Sequence, residues 1–215
     1  MDKMIGLVSR GQGVRGVAVR FTGRDSHTGT TPMDARRDAL VGAARVVTVV
    51  RELALRTAGA LGTVSRLEVR PGSRAVIPGR AEVVVDIRHP EPDTLDALEA
   101  ELRREIAGIA AANGLEAQAT TFLNIPPVRF DRSCVDMVKR AAHELGYPAM
   151  EIVSGAAHDA FAVASRIPTA MVFIPCRNGV SHHPAEYAEP EHVHAGADVL
   201  LHAVLDKAGV GNDLR

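Results

Sequence analysis

The sequence predicts a two-part fold, α/β plus α+β. A ferredoxin-like β-α-β-β-α-β domain spans residues 13–123, and part of a mostly parallel-sheet domain spans residues 124–215. Residues 1–12 read as a remnant of that second domain or as a linker. Three observations carry this. Apolar residues alternate along three short segments of the first part, the period of a half-buried strand. Two longer segments space them three and four apart, the period of a helix lying on a sheet. The run PTAMVFIP at 168–175 is nearly continuously apolar, as in a parallel strand buried on both faces.

Taken in order, Gly13 to Phe21 alternates Val14, Val17, Val19 and Phe21 with smaller or charged residues and reads as the first strand. A Gly/Thr/Ser loop over 23–32 leads into a helix from Met33 to Arg56, with Leu40, Ala43, Ala44, Val47, Val50 and Ala54 on one face. Thr63 to Arg70 and Arg80 to Arg88 alternate again around a loop holding Pro71, Gly72, Pro78 and Gly79, an antiparallel hairpin. A second helix opens at Pro92, capped by Asp93 or Thr94. It carries the stripe Leu95, Leu98, Leu102, Ile106 and Ile109 and ends at Asn113-Gly114. Leu115 to Phe122 supplies the fourth strand, and Asn124-Ile125-Pro126-Pro127 is a stiff linker.

Beyond it, Asp131 to Leu145 reads as a helix closed by Gly146, Met150 to Val153 as a short strand, and His158 to Ser165 as a helix. The apolar run follows, then a polar loop over 179–184 and a last amphipathic helix from Pro190 to Ala208. About two strands and three helices are too few neighbours for a doubly buried strand, so this part reads as an incomplete domain.

Composition narrows the function. A net charge of −1 excludes a broad basic footprint, so neither nucleic acid nor an anionic membrane surface is an expected partner. No apolar run approaches the roughly 18 residues of a membrane span, and the first residues lead into no secretory signal, so the expectation is a cytoplasmic protein. Cys134 and Cys176 are too few and too distant for a disulfide framework or zinc knuckle. Aromatics at 3%, with no Trp, make base or sugar stacking platforms poor candidates. Nine histidines favour an enzyme over a binding module.

Four loops collect candidate residues. His27 sits in a Gly/Thr loop before a helix, placed either to face an anionic or carbonyl oxygen beside free backbone N–H groups, or in a solvated loop with threonine caps. Arg88 stands at a strand end, where a guanidinium grips a carboxylate through two parallel hydrogen bonds, or pairs on the surface with Asp86 two residues away. Ser154, Gly155 and His158 form a small-residue turn at a strand's carboxyl end, where α/β sheets gather ligands, or a helix start satisfying its own backbone donors. His182 and His183 follow the apolar run; one offers a metal ligand, with Glu186 orienting it or the loop. Pro184 prevents an i, i+4 helical pair there.

In this order, SHTGTTPMDARRDA, GTVSRLEV with PGSRAVIPG, DIRHP, SGAAHDA and IPCRNGVSHHPAEY resemble the metal-dependent amidohydrolases of the M20 peptidase superfamily. The branch resembled is that of N-carbamoyl-L-amino-acid hydrolase, β-ureidopropionase and allantoate amidohydrolase. The resemblance implies a zinc-peptidase-like catalytic domain with two zinc ions (or manganese or cobalt), interrupted by a ferredoxin-like lid that forms a homodimer. It implies hydrolysis of a linear C–N amide, N-carbamoyl or ureido, on a small carboxylate substrate by a metal-bridged hydroxide. His27 takes the place of the lid histidine that crosses the dimer to stabilise the oxyanion, and Arg88 that of the arginine clamping the carboxylate. Ser154, Gly155 and His158 fall in the substrate-binding turn, and His182 on the terminal metal-ligand histidine.

Two departures stand out. Ala75 occupies the position of the family's substrate-site asparagine. The H-x-D ligand pair, the bridging aspartate and the Glu-Glu pair holding the general base have no counterpart before Gly13, so the chain resembles the C-terminal half of the enzyme and on its own lacks the metal site and activity. The alternative is a non-catalytic lid module, or an inactive truncated product; an upstream reading frame encoding the absent motifs would favour the enzyme.

Overall fold

A computed structural model describes residues 3–209; the expectations for residues 1–2 and 210–215 lie outside them. The chain forms two compact units, one of residues Gln12–Pro127 and one built from the residues on either side of it.

In chain order the strands and helices are β1 (Ile5–Gly11), β2 (Gly13–Thr22), β3 (Ser26–His27), α1 (Ala39–Arg56), β4 (Leu61–Arg70), β5 (Val76–Ile77), β6 (Arg80–His89), α2 (Pro92–Ala112), β7 (Glu116–Ile125), β8 (Val128–Arg129), α3 (Arg132–Glu144), β9 (Ala149–Ser154), α4 (Asp159–Ala164), β10 (Met171–Phe173) and α5 (Pro190–Ala208). No helix among the described residues is long and apolar enough to cross a membrane.

The inserted unit is an antiparallel sheet in the order β4-β6-β2-β7, with α1 and α2 joining consecutive strands. This is the ferredoxin-like arrangement. Alternate residues of β2 (Val17, Val19, Phe21) and β6 (Ala81, Val83, Val85, Ile87) enter one core with both helices. The stripe read on α2 is the buried one, Leu95 to Ile109.

The first helix starts six residues later than expected. Met33–Ala35 forms a separate 3-10 turn, and the Asp38 carboxylate accepts the N–H groups of Leu40 (2.9 Å) and Val41 (3.4 Å), capping a helix that begins at Ala39. Arg37 and Pro78 carbonyls accept the N–H groups of Arg24 and Ala39, which draws this stretch out of the helical ladder. The buried stripe is Ala39, Gly42, Ala43, Val46, Val50 and Leu53, so Val47 points outward. Gly42 lies against Phe21 and Leu115, where a Cβ would approach Leu115 to 2.8 Å. On α2, Pro92 itself opens the helix and Glu91 precedes it without a side-chain cap, in place of the Asp93 or Thr94 cap.

The other sheet face, away from the helices, carries a charged ladder. Glu82 accepts from Arg80 Nη2 at 2.6 Å and Arg20 Nε at 2.7 Å, and these hydrogen bonds, Arg80's foremost, hold its carboxyl at about 2 against an ordinary 4.5. A depressed carboxylate stabilises the fold fully above its unfolded pKa and loses that contribution as pH falls through the folded one. Glu82 is 27% exposed and screened, so the contribution is below about 1 kcal/mol. Glu82→Gln should therefore weaken the chain slightly at pH 6 and remove part of the decline between pH 4.5 and 2, read from urea melts. An unchanged acid limb would contradict this.

In the flanking unit, β1 is the central strand. It pairs in parallel with β9 and antiparallel with β10 and, at its end, β8. Ile5–Gly11 is thus a sheet strand and not a linker. Asp131 caps α3 by accepting the Cys134 N–H at 3.0 Å. The apolar run departs from expectation: only Met171–Phe173 is a strand, antiparallel and half-buried. It lies at an edge with one neighbour among the described residues, so apolarity there does not translate into burial on both faces.

Candidate active site

His27 lies just past β2, where β3 and β5 form a two-residue ladder pairing His27 with Val76. The loop is held from within. Asp25 accepts the Gly79 N–H at 2.6 Å, Thr28 donates to the Ala75 carbonyl at 3.1 Å, and Arg36 donates to the carbonyls of Thr28 and Thr31. The ring's Nδ1 accepts the backbone N–H groups of Gly29 (3.0 Å) and Thr30 (3.2 Å). With Nδ1 an acceptor, the neutral imidazole carries its proton on Nε2. Gly29 permits this wrap, since a Cβ there would stand 3.3 Å from the ring. The exposed ring therefore presents Nε2–H as a fixed donor.

Arg88 lies on the open face of the sheet, opposite Val14 on β2 and Leu61 on β4. Asp86 takes it in a fork, Nε to Oδ1 at 2.7 Å and Nη2 to Oδ2 at 3.0 Å. That bond raises the guanidinium above its ordinary value against the opposing pull of burial. Of the two readings of Arg88, the pairing with Asp86 is the one the structure shows, and it holds the guanidinium plane in place.

In the flanking unit, Ser154 is fully buried, and its hydroxyl donates to the Ala156 carbonyl (2.8 Å) and accepts the Ala156 N–H (3.3 Å). It shapes the turn. Gly155 and His158 are exposed, and the His158 ring packs edge-on to Phe173, centroids 5.4 Å apart. His182 is exposed in a left-handed backbone (φ 57°), and Glu186 accepts its main-chain N–H at 2.9 Å. Glu186 thus orients the loop and not the ring. His183 Nδ1 accepts from Ala185 N–H at 3.1 Å.

Among the described residues no three His, Cys, Asp or Glu side chains are grouped to hold a metal ion. One imidazole at His182 does not fit a catalytic zinc, which takes about three protein ligands. The 215-residue chain, dialysed after exposure to zinc, is expected to retain less than stoichiometric metal by elemental analysis. Tight retention of two ions would contradict this.

Within the inserted unit the structure brings the His27 loop beside Ala75, whose carbonyl accepts the Thr28 N–H, and places Arg88 towards the other end of β6. Thr22, at the His27 end of β2, pairs with Arg80, and Arg88 stands eight residues further along β6. At ~3.3 Å per residue that is ~26 Å. Sequence reasoning missed the amides of Gly29 and Thr30 as the determinants of the histidine tautomer; the close H-T-G-T spacing was the available signal.

The chain, a ferredoxin-like unit inserted between the segments of a mixed α/β unit, belongs to peptidase family M20/M25/M40, whose model matches residues 6–206. It is 40% identical to N-carbamoyl-L-amino-acid amidohydrolase of Rhizobium meliloti over 97% of this chain and 50% of the relative. With allantoate amidohydrolase of Bacillus subtilis the identity is 33%, over 91% of the chain and 48% of the relative. A hydantoinase/carbamoylase family amidase structure from Burkholderia multivorans superposes with a TM-score of 0.90 at 48% identity, over 96% of this chain and 50% of that one. The chain spans about half the length of the curated relatives it matches.

Proposed function

We propose that this chain is the C-terminal half of a cytoplasmic, homodimeric amidohydrolase. It would cleave the linear C–N bond of an N-carbamoyl or ureido group on a small carboxylate substrate. The observation that carries this is the fixed Nε2–H of His27, a donor suited to a carbonyl oxygen that gains charge as it becomes tetrahedral. Arg88, held in plane by Asp86, would place the substrate carboxylate, and the turn at Ser154, Gly155 and His158 would approach the substrate through small residues and backbone. Since ~26 Å of β6 lies between Arg80, which pairs with Thr22 at the end of β2 leading to the His27 loop, and Arg88, one substrate would meet Arg88 of one subunit and the partner subunit's His27. Dimerisation would run through the β4 edge and the α1 flank beside it, where Leu61, Leu67, Val41, Val47 and Leu55 are exposed. His182 would be the single imidazole this chain offers toward the family's divalent-metal site. The other ligands, the attacking water and its proton acceptor would belong to the half outside this chain.

The test is a completed enzyme: the segment of the Rhizobium meliloti relative that this chain does not cover, joined upstream of the 215 residues. It is expected to hydrolyse N-carbamoyl amino acids in the presence of a divalent metal, while the 215-residue chain alone does not. A folded, metal-loaded fusion without such activity would overturn the proposal.

A further inference from the structure

A bulge in β7 puts an aromatic ring on the sheet face that carries Arg88. Gly16 of β2 pairs with Leu123 and Val17 with Thr121, so Phe122 is the extra residue between them. An extra residue of this kind re-aims a side chain. Thr121 keeps to the helix side, where its hydroxyl donates to Glu99 at 2.6 Å, while the Phe122 ring lies over Gly16 on the open side. A Cβ on Gly16 would stand 2.7 Å from the ring's Cζ, so a side chain there would push the ring off the strand. Phe122 is nevertheless 59% exposed, a large apolar surface held in place and left facing outward. The same register pairs Gly16 with Asp86 and Val14 with Arg88. Gly16 and Arg88 are therefore diagonal neighbours on one face, ~7–8 Å apart at Cα. Arg88 leans back along β6 to grip Asp86, which turns its guanidinium toward the strand position opposite the ring.

We infer that Phe122, settled on Gly16, receives the substrate's own side chain and selects an N-carbamoyl amino acid with an aliphatic or aromatic side chain over one with none. The inference rests on Arg88 as the carboxylate site of the proposed function, and adds what recognises the other side of the α-carbon. A guanidinium and an exposed ring at this spacing match the carboxylate and the apolar side chain of one amino acid. The ring offers no hydrogen bond, so a polar side chain placed against it would lose its water without a partner.

The chain has no tryptophan, so Phe122→Trp supplies a single fluorescent reporter at the ring's own position. Titrated into this variant of the 215-residue chain, N-carbamoyl-leucine is expected to change the emission with a Kd at least about 5-fold lower than that of N-carbamoylglycine. Isopentylurea, the leucine compound without its carboxylate, is expected to give no change over the same range. Equal affinities for the leucine and glycine compounds would overturn the inference. So would an equal response to isopentylurea, or no response to N-carbamoyl-leucine up to about 50 mM. In the completed enzyme, Phe122→Ala should lower the ratio of kcat/KM for N-carbamoyl-leucine to that for N-carbamoylglycine by about 10-fold, chiefly through KM, and Phe122→Leu should restore part of it. An unchanged ratio in a completed enzyme that hydrolyses both compounds overturns the inference and leaves the functional proposal standing. Selective binding by the 215-residue chain, beside a folded, metal-loaded fusion that hydrolyses neither compound, keeps the inference and defeats the functional proposal.

Discussion

A mixture of His27→Ala and Arg88→Ala subunits of the completed enzyme, each nearly inactive by itself, is expected to recover about a quarter of the wild-type rate. The expectation follows from the register of one sheet. His27 continues from the end of β2 where Thr22 meets Arg80, and Arg88 stands at the far end of β6 beside Val14. On the proposed reading one small substrate does not bridge both ends of that strand within one subunit. In a heterodimer, one site retains Arg88 of the first subunit and His27 of the second; the other site lacks both. Random pairing makes half of the dimers mixed and half of their sites competent, hence the quarter. The single variants set the baseline, since loss of one oxyanion donor costs on the order of 10²–10³ in kcat. No recovery, with subunit exchange verified by differently tagged chains, would place His27 and Arg88 in the same site and refute the crossed arrangement.

Arg88→Lys in the completed enzyme should lower kcat/KM on a carboxylate substrate by about 10- to 150-fold, on the order of 1.5–3 kcal/mol, because the point charge of lysine replaces a forked pair of bonds. Arg88→Ala should cost more. The specific readout is a substrate analogue without the carboxylate: its already low kcat/KM should be unaffected by either variant. Because Arg88→Ala also strands Asp86, thermal stability is compared in parallel. If the two substrates lost rate equally, the arginine would be holding the sheet and not the substrate.

What was legible in the sequence was whatever obeys a period. The alternation of Val17, Val19 and Phe21 and the stripe from Leu95 to Ile109 both predict the buried faces, because one core receives them all. Local competition was less legible. Nothing in the spacing of Met33 to Arg56 shows that Asp38 would take the cap, or that Val46 and Leu53 would be buried in place of Val47 and Ala54. The β3–β5 ladder is two residues long and has no period to read. PTAMVFIP announces an apolar environment, but only the pairing of β10 with β1 decides that the strand is an antiparallel edge. In the candidate site, residue types were readable and their employment was not. Ser154 looks like a group for a substrate until its hydroxyl closes on Ala156, and Glu186 like a partner for an imidazole until it bonds a main-chain N–H. That the His27 loop and Arg88 lie at opposite ends of β6 needed the register itself.

The position of β1 also sets an order of folding. Its parallel partner β9 begins 144 residues later, Ile5 opposite Ala149, so the flanking unit cannot form its central pairing until most of the chain has been synthesised. The inserted unit has all its segments in one continuous stretch and folds while the rest is still emerging. In doing so it brings its own ends together, for Val14 pairs with Ile125 and Gly13 lies against Pro127. The long excursion between β1 and β9 is thereby shortened to the 21 residues 128–148 before the second pairing begins, which lowers the entropy that closing that loop would otherwise cost.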